Sequence, residues 1–210
     1  EAFNRTHRLT PLYLSCGTEQ LTEQQSTHYF QLIDSLTTAL QTHRAPATLA
    51  ALVLQRAVAY ATLQNFDAAI ADLDTYISID STSALGYWHR AIYQVQLSGY
   101  KASSGSSTQL QEAGAQSDFA RALALQPNSA YLYFDRANLH AAQAAYDAAI
   151  VDYTTALRLD PHLAEAYYNR GLAYLKKDDK THGIKDLSKA GELGLYSAYS
   201  IIKQNRAAER

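Results

Sequence analysis

A basic residue followed by a small one returns along this chain at a fixed interval. The pairs are Arg56-Ala57, Arg90-Ala91, Arg136-Ala137 and Arg170-Gly171. Arg56 to Arg90 is 34 residues, and Arg136 to Arg170 is again 34. Arg90 to Arg136 is 46, which is 34 plus 12, so the second copy carries a 12-residue insertion. No other feature limits the fold as much. A repeat of this length is one supersecondary unit that cannot bury its apolar face alone and must stack on its neighbours.

A second block follows each Arg. Ala68-Ala69-Ile70-Ala71-Asp72-Leu73 aligns with Ala148-Ala149-Ile150-Val151-Asp152-Tyr153 and with His182-Gly183-Ile184-Lys185-Asp186-Leu187. The inserted copy offers Gly114-Ala115-Gln116-Ser117-Asp118-Phe119. Apolar residues recur three and four apart, as in Ala57, Tyr60 and Ala61, or Ala149, Tyr153, Ala156 and Leu157. That is helical spacing. Pro127 and Pro161 stand where a helix has to end.

The spacing predicts helix pairs over 50–63 and 67–80, 84–98 and 110–125, 130–143 and 147–159, and 164–177 and 180–191. A further helix over 22–42 covers one end, and one over 196–207 caps the other. The organisation expected is an N-terminal extended segment and capping helix over 1–49, then repeats over 50–83, 84–129, 130–163 and 164–195, then a C-terminal cap over 196–210. The Ser-rich insertion lies near 99–110; Lys101 to Thr108 reads as a loop inside the second repeat.

These blocks resemble the tetratricopeptide repeat, a 34-residue helix-turn-helix motif. Tyr133, Ala137, Ala149, Tyr153, Ala156 and Pro161 match one copy, and Tyr167, Gly171, Tyr174, Gly183, Leu187 and Ala190 match the next. The first copy departs at Tyr76 and Ser81, the second at Gln94 and through its insertion. The resemblance covers about residues 50 to 194. It implies an all-α, right-handed α-α superhelix of four repeats with terminal capping helices. The closing run from Lys189 to Tyr199 looks like the C-terminal end of long, exported multi-repeat proteins of Gram-negative bacteria, which implies further repeats upstream and an envelope location.

Two pairs of columns follow from the register. Ala57, Ala91, Ala137 and Gly171 form one small-residue column, and Ala69, Ala115, Ala149 and Gly183 the other. Small side chains there let paired helices approach closely. Arg56, Arg90, Arg136 and Arg170 face a column of Asp72, Asp118, Asp152 and Asp186. Matched opposite charges in every copy point to a structural ion-pair ladder rather than to a ligand site. Whether each Arg meets the Asp of its own repeat or of a neighbour is left open by the sequence.

In this family the first helices of successive repeats line a groove that takes ligands. Carried over by motif, that groove holds Leu54, Trp88, Phe134 and Tyr168, then Val58, Ile92, Asn138 and Leu172, and Gln55, His89, Asp135 and Asn169. Aromatic and apolar anchors with a few hydrogen-bonding groups suit a partly apolar peptide or helix. The basic cluster that grips a C-terminal carboxylate in some relatives is missing; Lys176 is its nearest equivalent. Trp88 is either an anchor or a packing residue. Residues 1–20, with Phe3, Leu9, Leu12, Tyr13 and Leu14, are a candidate internal filler of the same groove.

The expected function is a non-catalytic scaffold for a protein or peptide partner. The alternative is the structural end of a longer array, acting upstream or through a homodimer. The 18 basic and 20 acidic residues nearly cancel, so no basic excess suggests nucleic acid. No run approaches the roughly 20 apolar residues of a membrane span. Cys16 is the only cysteine, and His7, His28, His43, His89, His140, His162 and His182 show no short metal-ligand spacing. Neither a nucleophile elbow nor a Gly-rich phosphate loop is present. No cofactor, metal or catalytic residue is expected.

Overall fold

The structure is a computed structural model that describes residues 21–43, 45–103 and 109–207. Among the described residues there are ten helices. The chain divides into two compact units at Pro127 and Asn128. In the first lie α1 (Glu23–Thr42), α2 (Pro46–Thr62), α3 (Phe66–Ile79), α4 (Ala84–Ser103) and α5 (Gln109–Leu125). In the second lie α6 (Ala130–Ala142), α7 (Tyr146–Leu159), α8 (Ala164–Lys176), α9 (Lys180–Glu192) and α10 (Ser197–Ala207). The arrangement is the helix-turn-helix solenoid, with α1 and α10 as caps.

Helix limits follow local chemistry. Thr22 and Gln25 form a reciprocal capping box at the start of α1, at 2.8 and 3.2 Å. Pro46 opens α2 at a position where its missing N–H costs nothing. The inserted repeat differs from the expected loop. Helix α4 runs on to Ser103 instead of ending near 98, and the Ser98 hydroxyl donates to Glu112 Oε1 at 3.1 Å. The insertion therefore lengthens α4. Its remaining part, 104–108, lies outside the described residues, as do Cys16 and the five apolar residues of the 1–20 segment.

The small-residue columns sit at the centre of each helix pair. Ala57 and Ala69, Ala91 and Ala115, and Ala137 and Ala149 are all fully buried. Leu73, Phe119, Tyr153 and Leu187 fill the flanking space with no exposed surface. Each such side chain contributes about 1.5–3 kcal/mol by leaving water. At the C-terminal end, Ala198 and Ile202 of α10 close over Tyr168, Leu187 and Ala190. Tyr199 of the same helix is 47% exposed.

The turns inside three repeats share one backbone device. Gln64, Ala144 and Asp178 have φ of 60, 56 and 62°. Each ends the first helix of its repeat in the left-handed conformation. The following N–H bonds back to the last turn, Asn65 to Tyr60, Ala145 to His140 and Asp179 to Tyr174, each at 2.9 Å. This is the Schellman termination, where glycine is the usual occupant. An L residue there is strained by about 1 kcal/mol. Ala144→Gly should therefore stabilise the chain by up to about 1 kcal/mol, read as a higher urea midpoint. An unchanged or lower midpoint would show that the entropy cost of glycine outweighs the relieved strain.

Candidate functional site

Each ladder Arg meets the Asp of its own repeat, which settles the question the sequence left open. Nε and Nη2 of Arg56 donate to Asp72 at 2.8 and 2.7 Å, and those of Arg90 to Asp118 at 2.7 and 2.7 Å. Arg136 holds Asp152 at 2.7 and 2.8 Å, and Arg170 holds Asp186 at 2.7 and 2.9 Å. These are fork-on-carboxylate pairs, stronger and more directional than single contacts. The carboxylates are buried and the guanidinium groups about a fifth exposed. Bonding to Asp118 raises Arg90 above its usual pKa, against the cost of burial. A tyrosine ring also flanks each cation: Tyr60, Tyr87, Tyr133 and Tyr167 lie 5.6–6.0 Å from the guanidinium centres.

His140 borders this ladder, 3.7 Å from Asp152. Burial pulls its pKa below 6.5, Asp152 opposes that shift, and Arg136 adds to it. Below pH 6.5 the unfolded chain therefore binds a proton that folded His140 refuses. Stability from this group is present above 6.5 and is lost as pH falls toward the folded value. His140→Gln should flatten the dependence of the urea midpoint on pH between about 7 and about 5. An identical slope in the variant would remove His140 as its source.

The twelve side chains assigned to the groove do not share one environment. Trp88, His89, Ile92, Phe134, Asp135, Asn138, Tyr168 and Asn169 are buried, at 0–6% exposure. Leu54, Val58 and Leu172 are half-buried, and Gln55 is exposed. The column of Phe134 and Tyr168 packs into the core. Phe134 lies 6.0 Å from the Tyr153 ring, and Tyr168 belongs to the cluster under α10. Truncating Phe134 therefore perturbs the core as well as any ligand contact. Trp88, at 6% exposure, likewise packs rather than projects into solvent.

A polar network in the second unit was not legible as such. Asn138 Oδ1 accepts from Tyr153 Oη at 2.7 Å and from Asn169 Nδ2 at 2.9 Å. The hydrogen bond between the two side-chain amides joins the first helices of two successive repeats, α6 and α8. Asn138 Nδ2 and Asn169 Oδ1, both fully buried, have no hydrogen-bond partner among the described residues. One is a donor and the other an acceptor. Leu172, half-buried, stands three residues beyond Asn169 and so on the same side of α8.

A shallow cleft of about 540 Å³ runs along α8 and α9, lined by Thr154, Tyr167, Arg170, Tyr174, His182 and Lys185 among others. Its charges are largely compensated within it, Arg170 by Asp186 and Lys189 by Glu192 at 3.1 Å. Tyr174 stacks on His182 at 5.2 Å, and Asp179 Oδ2 bonds His182 Nδ1 at 2.7 Å. Among the described residues no group of three His, Cys, Asp or Glu could hold a metal ion. No described helix is long and apolar enough to cross a membrane.

Comparison with known families agrees with this geometry. The profile described as TPR repeat matches residues 142–178, and that described as tetratricopeptide repeat matches 50–83 and 164–193. The chain is a tetratricopeptide-repeat protein. Both matches lie outside 84–129, the repeat stretched by the insertion. No curated protein matches the chain in sequence. Among solved structures, a crystal structure of MamA superposes with a TM-score of 0.68 at 20% identity, over 84% of this chain and 94% of that one. MamA from Desulfovibrio magneticus gives 0.59 at 16%, over 80% and 94%. PilF from Pseudomonas aeruginosa gives 0.59 at 19%, over 72% and 64%. At these identities the likeness is one of fold. Tetratricopeptide arrays are typically non-catalytic scaffolds for protein–protein interaction.

Proposed function

We propose that this tetratricopeptide array grips a partly apolar peptide or helix of a protein partner along its first helices. The observation that carries the reading is Leu172 on α8, a partly exposed apolar side chain held against the cluster under α10. Asn138 and Asn169, fully buried and hydrogen-bonded to each other at 2.9 Å, fix α6 against α8 and so hold the surface on which Leu172 stands. Leu54, Gln55 and Val58 of α2 extend the same kind of surface within the first unit.

The buried residues of the proposed groove hold this surface in place rather than meeting the ligand first. Trp88, His89, Ile92, Phe134, Asp135 and Tyr168 are in that class.

The test uses the full chain as bait in extracts of the native cell. Leu172→Asp is expected to reduce recovery of the partner by about 30-fold, a hot-spot-sized loss of roughly 2 kcal/mol, with helical content unchanged. Recovery equal to that of the unmodified chain would remove α8 from the binding surface.

A further inference from the structure

The second helices of the repeats can be compared place by place, counting from the ladder Asp. Four residues before it stand Ala68, Gly114, Ala148 and His182. One residue before it stand Ala71, Ser117, Val151 and Lys185. Three residues after it stand Thr75, Arg121, Thr155 and Lys189. In the last repeat all three places carry a group that is cationic or can become so, whereas Arg121 is the one basic residue among the others. Copies with Ala, Val and Thr at these places form the same helix, so packing does not require the basic side chains. At spacings of three and four residues His182, Lys185 and Lys189 share one face of α9, and all three are exposed.

These side chains line the cleft along α8 and α9, together with Arg170 and the rings of Tyr167 and Tyr174. Lys185 forms no ion pair among the described residues. Lys189 pairs with Glu192, an exposed contact that contributes little. Arg170, Lys185 and Lys189 stand against Asp186 and Glu192 in the lining, an excess of one positive charge with His182 neutral. Arg170 also has a third donor. Its Nη1 bonds Thr154 Oγ1 at 2.9 Å, two residues after Asp152. In the first unit the matching donor, Nη1 of Arg90, bonds Asp74 Oδ1 at 2.6 Å, two residues after Asp72. Arg90 thus holds two carboxylates of its own chain, Asp118 and Asp74. Arg170 holds one, and an exposed neutral hydroxyl stands where the second would be.

We propose that this cleft is a second binding surface, which takes a carboxylate from an acidic segment of a protein partner. The carboxylate meets Arg170 in the way that Asp74 meets Arg90, a charge-assisted bond in place of a neutral one. Lys185 and Lys189 add positive charge along the same cleft, and the Tyr167 and Tyr174 rings give the stem of the acidic residue apolar contact. A single acidic chain suits this lining better than a continuous anionic surface, because Asp186 and Glu192 lie among the cations. Arg170 and Leu172 are two residues apart, about 200° around α8, so they point to nearly opposite sides of that helix. The cleft is therefore separate from the surface proposed for the first helices, and binding in it does not depend on Leu172.

The test uses the full chain and a fluorescein-labelled peptide of glutamates, followed by fluorescence anisotropy at low salt, with a lysine peptide of equal length as the charge control. Lys185→Ala with Lys189→Thr installs the residues that the first repeat carries at those places, Ala71 and Thr75, and leaves the ladder intact. Thr154→Asp installs the carboxylate that Asp74 supplies beside Arg90. The expected result is saturable binding of the glutamate peptide and none of the lysine peptide. Binding should weaken by about 10-fold in the double variant and by about 10-fold in Thr154→Asp, whose own carboxylate takes the Arg170 donor. Thr27→Asp, the same charge change on an exposed residue of α1 outside the cleft, should leave the affinity unchanged. No binding of the glutamate peptide, or an affinity unchanged in either cleft variant, would overturn the proposal. So would equal weakening by Thr27→Asp, which marks a general charge effect. Capture of the chain by phosphatidylserine vesicles without binding of the glutamate peptide would overturn it in favour of a membrane surface.

Discussion

Replacing Arg170 by Leu should cost about 3–5 kcal/mol, the price of leaving a buried carboxylate without its cation. Asp186 is 6% exposed and takes both of its charge-assisted bonds from Arg170, at 2.7 and 2.9 Å. Leucine fills part of the volume but offers no donor, and little water reaches the carboxylate. Replacing both residues, Arg170→Leu with Asp186→Leu, should recover much of the loss, because the unpaired charge is gone. The contrast within the same helix is Lys189 and Glu192. These are 46% and 61% exposed, and breaking that pair should change stability by no more than about 0.5 kcal/mol. Urea unfolding followed by circular dichroism measures all three variants. A cost for Arg170→Leu below about 1 kcal/mol would show that the ladder is decorative.

Gly171→Leu should be comparably harmful, by about 3 kcal/mol, for a steric reason. A Cβ at Gly171 would sit 3.0 Å from the carbonyl oxygen of Gly183 and 3.2 Å from the backbone N of Leu187. Both are main-chain atoms of α9 and cannot swing aside, so α8 and α9 must separate. Other repeats hold Ala137 against Ala149 or Ala57 against Ala69 at this crossing, so the fold accepts a methyl where the helices are spaced for it. The last repeat, with glycine on both sides, is not spaced for leucine. The melting temperature should fall by about 6–12 °C. Gly191 is the useful contrast. A Cβ there meets the ring of Tyr199 at 2.5 Å, but that ring is 47% exposed and can move away. Gly191→Ala should cost well under 1 kcal/mol.

What the residues revealed in advance was what recurs. The 34-residue register gave four helix pairs and two caps, because small columns, the Arg and Asp columns and the proline stops repeat with the same phase. The pairing of each Arg within its own repeat could not be read, since a column spaced by 34 is compatible with either neighbour. The second acceptor of each Arg could have been found: Asp74 and Thr154 share an offset of two from the ladder Asp, although their side chains differ. The environment of the first-helix residues was less legible. Phe134, Asn138, Tyr168 and Asn169 stand at family groove positions, yet each also packs against a neighbouring helix, and in this chain that packing takes most of their surface. Motif position fixes which way a side chain points but not how much of it a neighbour covers.

The proposed binding face can be tested most directly at Leu172. A photoreactive amino acid placed there in the full chain, and irradiated in the native cell, should crosslink to a distinct polypeptide. The same residue placed at Val151, which is 65% exposed on α7, should not. Crosslinking at 172 but not at 151 is the result the account predicts. Crosslinking at 151 alone, or equally at both positions, would contradict it.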